Sequence, residues 1–121
     1  MLINEIAKRT GVSIATLRYY ENLGLIRGVA DENVKTNNYK NYDEEVIVKV
    51  EIIKEAKEVD FTLAEIRKML EIWYGSASRH KGQIELFTTK ISEIDTKIKR
   101  LKQIKKRLEN VKIELEKGSC T

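Results

Sequence analysis

The sequence predicts a mainly α-helical chain, with a small helical head followed by one long helix. Three observations carry that expectation. The 121 residues contain no proline, and 35% of them are charged. That combination favours long solvated helices over a sheet with proline-punctuated loops. From Ile84 onward, apolar residues recur every three or four positions to the far end of the chain, the period of one helical face.

The head is read element by element. Residues 4–10 suit a short helix, with Asn4 as its N-cap and Gly11 as its C-terminal stop. Ser13 caps a second helix over about residues 14–23, which Gly24 ends. Two short helices joined by Gly11-Val12-Ser13 have the proportions of a helix-turn-helix, although many helix hairpins share them. The segment RGVADENVKTNNYKNY, residues 27–42, changes character. Asp31, Asn33, Asn37 and Asn38 are turn formers, while Val29 and Tyr39 suit short strands on either side. This predicts a β-hairpin wing whose loop lies within residues 31–38.

Asp43 caps the next helix, whose apolar positions Val46, Ile47, Val50, Ile52 and Ile53 cover one broad face and which ends near Asp60. TLAE, residues 62–65, is a capping box with Thr62 as N-cap and Glu65 at the third helical position. Ile66, Met69, Leu70 and Trp73 follow at helical spacing. The expected division is a winged helix-turn-helix domain over 1–76, a coiled-coil helix over 77–117 and a short tail, 118–121.

The long helix has Ile84, Phe87, Ile91, Ile94, Ile98, Leu101, Ile104, Leu108, Val111 and Leu115 at successive steps of three or four. It is a heptad stripe with one three-residue stammer at Leu101–Ile104. At 1.5 Å per residue it runs roughly 55 Å, longer than so small a head can cover. A narrow apolar stripe on an overlong helix needs a partner helix, and the economical partner is a second copy of the chain. The stripe is therefore the expected dimerisation surface.

Charge is divided unevenly. Residues 1–77 hold 11 Lys/Arg against 13 Asp/Glu, a net of −2, and residues 78–121 hold 12 against 6, a net of +6. The first 42 residues carry 6 against 4, only +2, a faint version of the basic footprint expected of a nucleic-acid domain. The basic run KIKRLKQIKKR, residues 97–107, interleaves with the apolar stripe and reads as a solvated coiled-coil face. The single cysteine, Cys120, excludes an intrachain disulfide framework and fits a reducing compartment. No segment has signal-peptide or membrane-spanning character, so a cytoplasmic protein without membrane contact is expected. One histidine, no phosphate-cradling glycine loop and scattered carboxylates give no catalytic constellation; no enzyme activity and no cofactor are expected.

In this order, IAKRTGVSIATLRYYENLGLI (6–26), YKNY (39–42) and DFTLAEIRKML (60–70) resemble the MerR family of bacterial transcription regulators. LRYYE followed closely by GLI is the specific part of that resemblance, and the long helix is similar to the family's antiparallel dimerisation arm. The resemblance implies a winged-helix homodimer on double-stranded DNA, bound to a pseudo-palindromic promoter operator. Distorting that operator lets RNA polymerase engage, a use of DNA deformation energy. It places Ser13, Ala15 and Thr16 near base edges in the major groove, and Arg18, Tyr19, Tyr39 and Lys40 on the DNA backbone.

Four features depart from the family pattern. Arg27 and Gly28 stand where a proline usually follows GLI. Lys40 replaces an arginine, keeping charge without the bidentate fork. The wing is longer than usual, and Asp60 takes the place of a glycine where a left-handed cap is less comfortable. Tyr20 shares a face with Leu17 and reads as core; Trp73 and Tyr74 read as packing rather than as an effector pocket. Cys120, with His80, is a weak metal candidate, since two protein ligands rarely close a site. No metal is expected. The alternative to a regulator is a coiled-coil interaction or scaffold protein with a small helical head.

Overall fold

The computed structural model describes residues 1–30, 40–75 and 79–118. It falls into two compact units, Met1–Arg79 and His80–Thr121. The first holds, in order, α1 (Ile3–Thr10), α2 (Ile14–Asn22), β1 (Val29–Ala30), β2 (Lys40–Asn41), α3 (Glu44–Glu58) and α4 (Leu63–Trp73).

Each boundary has a local cause, except the first. Asn4 is not the N-cap of α1; Leu2 is, in extended conformation and without a side-chain cap. The Leu2 carbonyl already accepts from the amides of Glu5 and Ile6. Met1 is tied by its amine to the Tyr42 carbonyl and by its carbonyl to the Tyr42 amide, both at 2.8 Å. A tertiary backbone tie, not a capping side chain, therefore fixes where α1 begins. Gly11 ends it in the left-handed conformation, φ 75°, which glycine adopts without a Cβ penalty.

Ser13 caps α2 by accepting the Thr16 amide at 3.1 Å. Asp43 caps α3 through the Val46 amide at 3.3 Å. Thr62 and Glu65 complete the reciprocal capping box of α4, the Thr62 amide donating to Glu65 Oε1 at 2.8 Å and the Glu65 amide to Thr62 Oγ1 at 3.2 Å. The wing strands are antiparallel, with Val29 opposite Asn41 and Ala30 opposite Lys40. The expected loop and Tyr39 lie outside the described residues.

The head's core draws side chains from all four of its helices. Ile6 of α1, Leu17 of α2, Val50 and Ile53 of α3 and Ile66 of α4 are its largest fully buried side chains, with Tyr20, Leu25, Ile26, Tyr42 and Phe61 around them. On α3 the buried face is narrower than the sequence suggests. Ile47 and Ile52 are only half-buried, while Ala56 joins the core. Polar ties reinforce the same packing: Lys54 Nζ on α3 donates to the Thr10 carbonyl that ends α1, and Arg9 forms a bidentate pair with Glu44, both contacts 3.0 Å.

Asp60, after α3, takes the left-handed conformation at φ 68° despite its side chain. The turn holds because the Phe61 amide reaches back to the Ala56 carbonyl at 3.1 Å.

The second unit contains α5 (Arg79–Glu116), 38 residues and about 57 Å long. Its stripe stands open: Ile84, Phe87, Ile91, Ile98, Leu101, Ile104, Leu108, Val111 and Leu115 are exposed, and Ile94 is half-buried. Among the described residues no helix is long and apolar enough to cross a membrane.

Two stability predictions follow from these details. Asp60→Gly should raise the unfolding free energy by about 1 kcal/mol, the usual cost of a left-handed non-glycine residue, read from urea denaturation; an unchanged midpoint would show that the turn carries no strain. Glu44 has its carboxyl held below the ordinary value, chiefly by its hydrogen bond to Arg9. The unfolded chain then binds that proton more readily, so the pair stabilises above the ordinary carboxylate range and its contribution is lost as pH falls through the lowered value. Glu44→Gln should therefore flatten the fall in melting temperature between about pH 6 and pH 3. A variant curve parallel to the wild type would exclude the pair as a contributor.

Candidate nucleic-acid interface

Leu17 and Tyr20, three residues apart, anchor α2 to the core with 0% and 4% exposure. Helical geometry then turns Ser13, Ala15, Arg18 and Tyr19 outward, and all four are exposed, with Thr16 half-buried beside them. Tyr19 is 51% exposed and its ring lies tilted 40° to that of Tyr20, centroids 6.4 Å apart. At the helix start, Ser13 Oγ donates to Thr16 Oγ1 at 2.9 Å while accepting the Thr16 amide.

Lys40 is not a loose cation at the wing's end. Its Nζ pairs with Glu21 Oε2 at 3.1 Å. The same carboxylate accepts the Tyr42 hydroxyl at 2.6 Å to Oε1 and 3.3 Å to Oε2. Burial first, then Glu21's hydrogen bond and charge, hold the Tyr42 phenol above its usual range, while the charge of Arg18 pulls the other way. Arg18, Glu21, Lys40 and Tyr42 thus form one electrostatically connected surface spanning α2 and the wing base.

Gly28 explains one departure from the family pattern. A Cβ there would stand 2.7 Å from Tyr42 Cε1 and 2.8 Å from Cζ, too close for any side chain. The glycine lets the wing base lie against the Tyr42 ring.

Glu21 escaped the sequence reading. Its signal was its place three residues after Arg18 on the same helix, a carboxylate beside an expected cationic surface. Tyr39 lies outside the described residues, as does Cys120. His80 is exposed in the first turn of α5, and among the described residues no group of three or more His, Cys, Asp or Glu could hold a metal ion. Trp73 is half-buried. Tyr74 lines an open groove of about 380 Å³ with Leu23, Gly24, Leu25, Lys49, Arg67, Leu70 and Glu71, with Lys49 Nζ 4.7 Å above its ring centroid.

Residues 1–72 match the MerR HTH family regulatory protein profile and residues 47–111 match the MerR, DNA binding profile. The chain is 33% identical over 97 residues to the HTH-type transcriptional regulator CueR of Yersinia pestis, covering 78% of this chain and 66% of that protein. It is also 33% identical over 92 residues to the mercuric resistance operon regulatory protein of Bacillus cereus, covering 76% and 67%. The match thus spans about two thirds of the length of these curated relatives. Among solved structures, the transcription regulator PbrR691 from Ralstonia metallidurans CH34 in complex with lead(II) superimposes with a TM-score of 0.77 at 27% identity, covering 91% of this chain and 83% of that one. These families and relatives are transcription regulators, not enzymes. A helix-turn-helix with its wing, an open outer face on the second helix and matching profiles along most of the sequence lead to one assignment: the chain belongs to the MerR family of DNA-binding transcription regulators.

Proposed function

We propose that the chain binds a pseudo-palindromic promoter operator as a homodimer and distorts the duplex to control transcription in the cytoplasm, with RNA polymerase as the machinery it serves. The observation that carries this reading is the outer face of α2, where Arg18 and Tyr19 stand exposed beside the wing base held by Glu21. In this arrangement α2 enters the major groove. Ser13, Ala15 and Thr16 approach base edges, and Arg18, Tyr19, Tyr39 and Lys40 grip backbone phosphates on either side.

The α5 stripe supports the dimer. Ile84, Phe87, Ile91, Ile94, Ile98, Leu101, Leu108, Val111 and Leu115 are the proposed dimerisation residues, and all but the half-buried Ile94 are exposed in the single chain. Two recognition helices held by one arm would meet two half-sites, so the operator's symmetry would mirror that of the protein.

The reading is tested by fluorescence anisotropy with the duplex lying upstream of the protein's own coding region, at two salt concentrations. Binding should saturate, exceed that to a scrambled duplex and weaken steeply with salt; equal, weak binding to both duplexes would leave a coiled-coil interaction protein instead. Arg18→Ala should cost about 1–3 kcal/mol of binding, nearly uniformly across duplexes. Should affinity stay at the wild-type value, α2 has lost its central phosphate contact. Replacing Ile94 and Ile98 together with Glu should give monomers in sedimentation, because apposed charges would have to be buried. A dimer that survives both substitutions would remove the stripe as the interface.

A further inference from the structure

Resting on that DNA-binding reading, we propose that Glu21 is a positioning residue: its carboxylate locks the base of the wing to the recognition helix and holds the Lys40 ammonium where a backbone phosphate can take it. An acidic side chain on a phosphate-facing surface is otherwise a liability, since it repels the ligand. This one is spent internally. Oε1 takes the Tyr42 hydroxyl at 2.6 Å and Oε2 takes Lys40 Nζ at 3.1 Å, and the Glu21 side chain is only 17% exposed, against 33% for Lys40. Of the pair, the Glu21 side chain is thus the better covered and the Lys40 side chain the more open to solvent.

An ammonium carries three N–H donors. The Glu21 contact uses one, and among the described residues no other acceptor is bonded to the rest, which can meet a phosphate. The lysine stem is flexible, and fixing its head before the duplex arrives removes an ordering cost from the binding step.

The wing needs such a lock because its strands are short. The two strands contribute two residues each, joined at Val29–Asn41 and Ala30–Lys40. Gly28 stands close to the Tyr42 ring, and among the described residues the Tyr42 hydroxyl is bonded to α2 through Glu21. The link spans 19 residues from Glu21 to Lys40, so it sets the distance between two surfaces that must touch the duplex together.

The test uses the full chain and the duplex upstream of its own coding region, with affinity measured across a salt series. Glu21→Ala should weaken binding roughly tenfold to a hundredfold, the scale of a lost charge-assisted contact. The slope of log affinity against log salt should shrink by about 0.9, the signature of one phosphate contact. Lys40→Ala should shrink it by the same amount, and the double variant should shrink it no further. Glu21→Gln keeps an oxygen for the Tyr42 hydroxyl but not the charge that holds Lys40. It should retain the wild-type melting temperature and still show the reduced slope, which separates positioning from folding.

Tighter binding by Glu21→Ala would mean that the carboxylate merely repels phosphate, and would overturn the assignment. So would a lower melting temperature with an unchanged salt slope, or slope losses that add in the double variant. A wild-type chain that fails to bind the duplex overturns the DNA-binding reading as well; a wild type that binds and a Glu21→Ala variant that matches it overturn this assignment alone.

Discussion

Everything the head presents to its surroundings depends on its apolar core, whose fully buried members are Ile6, Leu17, Val50, Ile53 and Ile66. These five side chains come from all four helices of the unit, which pack in sequence, α2 on α1, α1 on α3 and α3 on α4, so burial along that chain of contacts fixes the four axes. Each such burial contributes on the order of 1.5–3 kcal/mol. The exposed Arg9–Glu44 pair is small beside that, and orients helices that the core has already brought together. Because Leu17 and Tyr20 are committed to the core, the rest of α2 has no choice of direction. Its outward face is what remains when the apolar stripe is satisfied.

The wing is held by different physics. It supplies little apolar area, since both residues of β1 are exposed, and a hairpin of this size is not stable by itself. Its attachment is therefore polar and specific: Met1 bonds in both directions to the Tyr42 backbone, and Glu21 takes the Tyr42 hydroxyl and the Lys40 ammonium. A half-buried carboxylate among two donors is stable because each of its oxygens has a partner; with either donor gone it would bear an uncompensated desolvation cost. Gly28 belongs to the same arrangement, since the Tyr42 ring can reach Glu21 from under the wing only if no Cβ stands in the way.

What the sequence made legible was local or periodic. Ser13, Asp43 and the Thr62–Glu65 box cap their helices as read, because a cap is decided within four residues of chain. The α5 stripe was legible because ten apolar residues keep one period. Asn4 misled because the backbone tie of Met1 to Tyr42, 41 positions further on, starts α1 earlier than any local signal indicates. Periodicity puts Ile47 and Ile52 on the broad apolar face of α3, yet both are only half-buried, because the face that α3 buries is narrower than its composition suggests. Asp60 sits in the left-handed conformation its side chain disfavours, since the Ala56–Phe61 bond determines the turn. The Glu21–Lys40–Tyr42 cluster was invisible for the same reason as Met1–Tyr42: its members are joined only after the wing folds back. On the candidate site, sequence reasoning found the outward residues of α2 and missed the residue that ties them to the wing.

The division of charge bears on why the proposed regulator would need its arm. The head up to residue 77 carries a net of −2 and its first 42 residues only +2. One head therefore has little long-range attraction for a duplex, and its grip depends on a few placed cations such as Arg18 and Lys40. Counterion release grows with the number of phosphates contacted, so doubling the contacts doubles the salt-dependent part of the binding free energy. A second head tethered by the arm also binds at a high effective concentration once the first is seated. On the dimeric reading, then, the open stripe of α5 and the modest charge of the head are two sides of one constraint. On that reading, a weakly charged recognition surface gains its hold on an operator by acting in pairs, and a helix with an exposed apolar stripe about 57 Å long gains by burying that stripe against a partner.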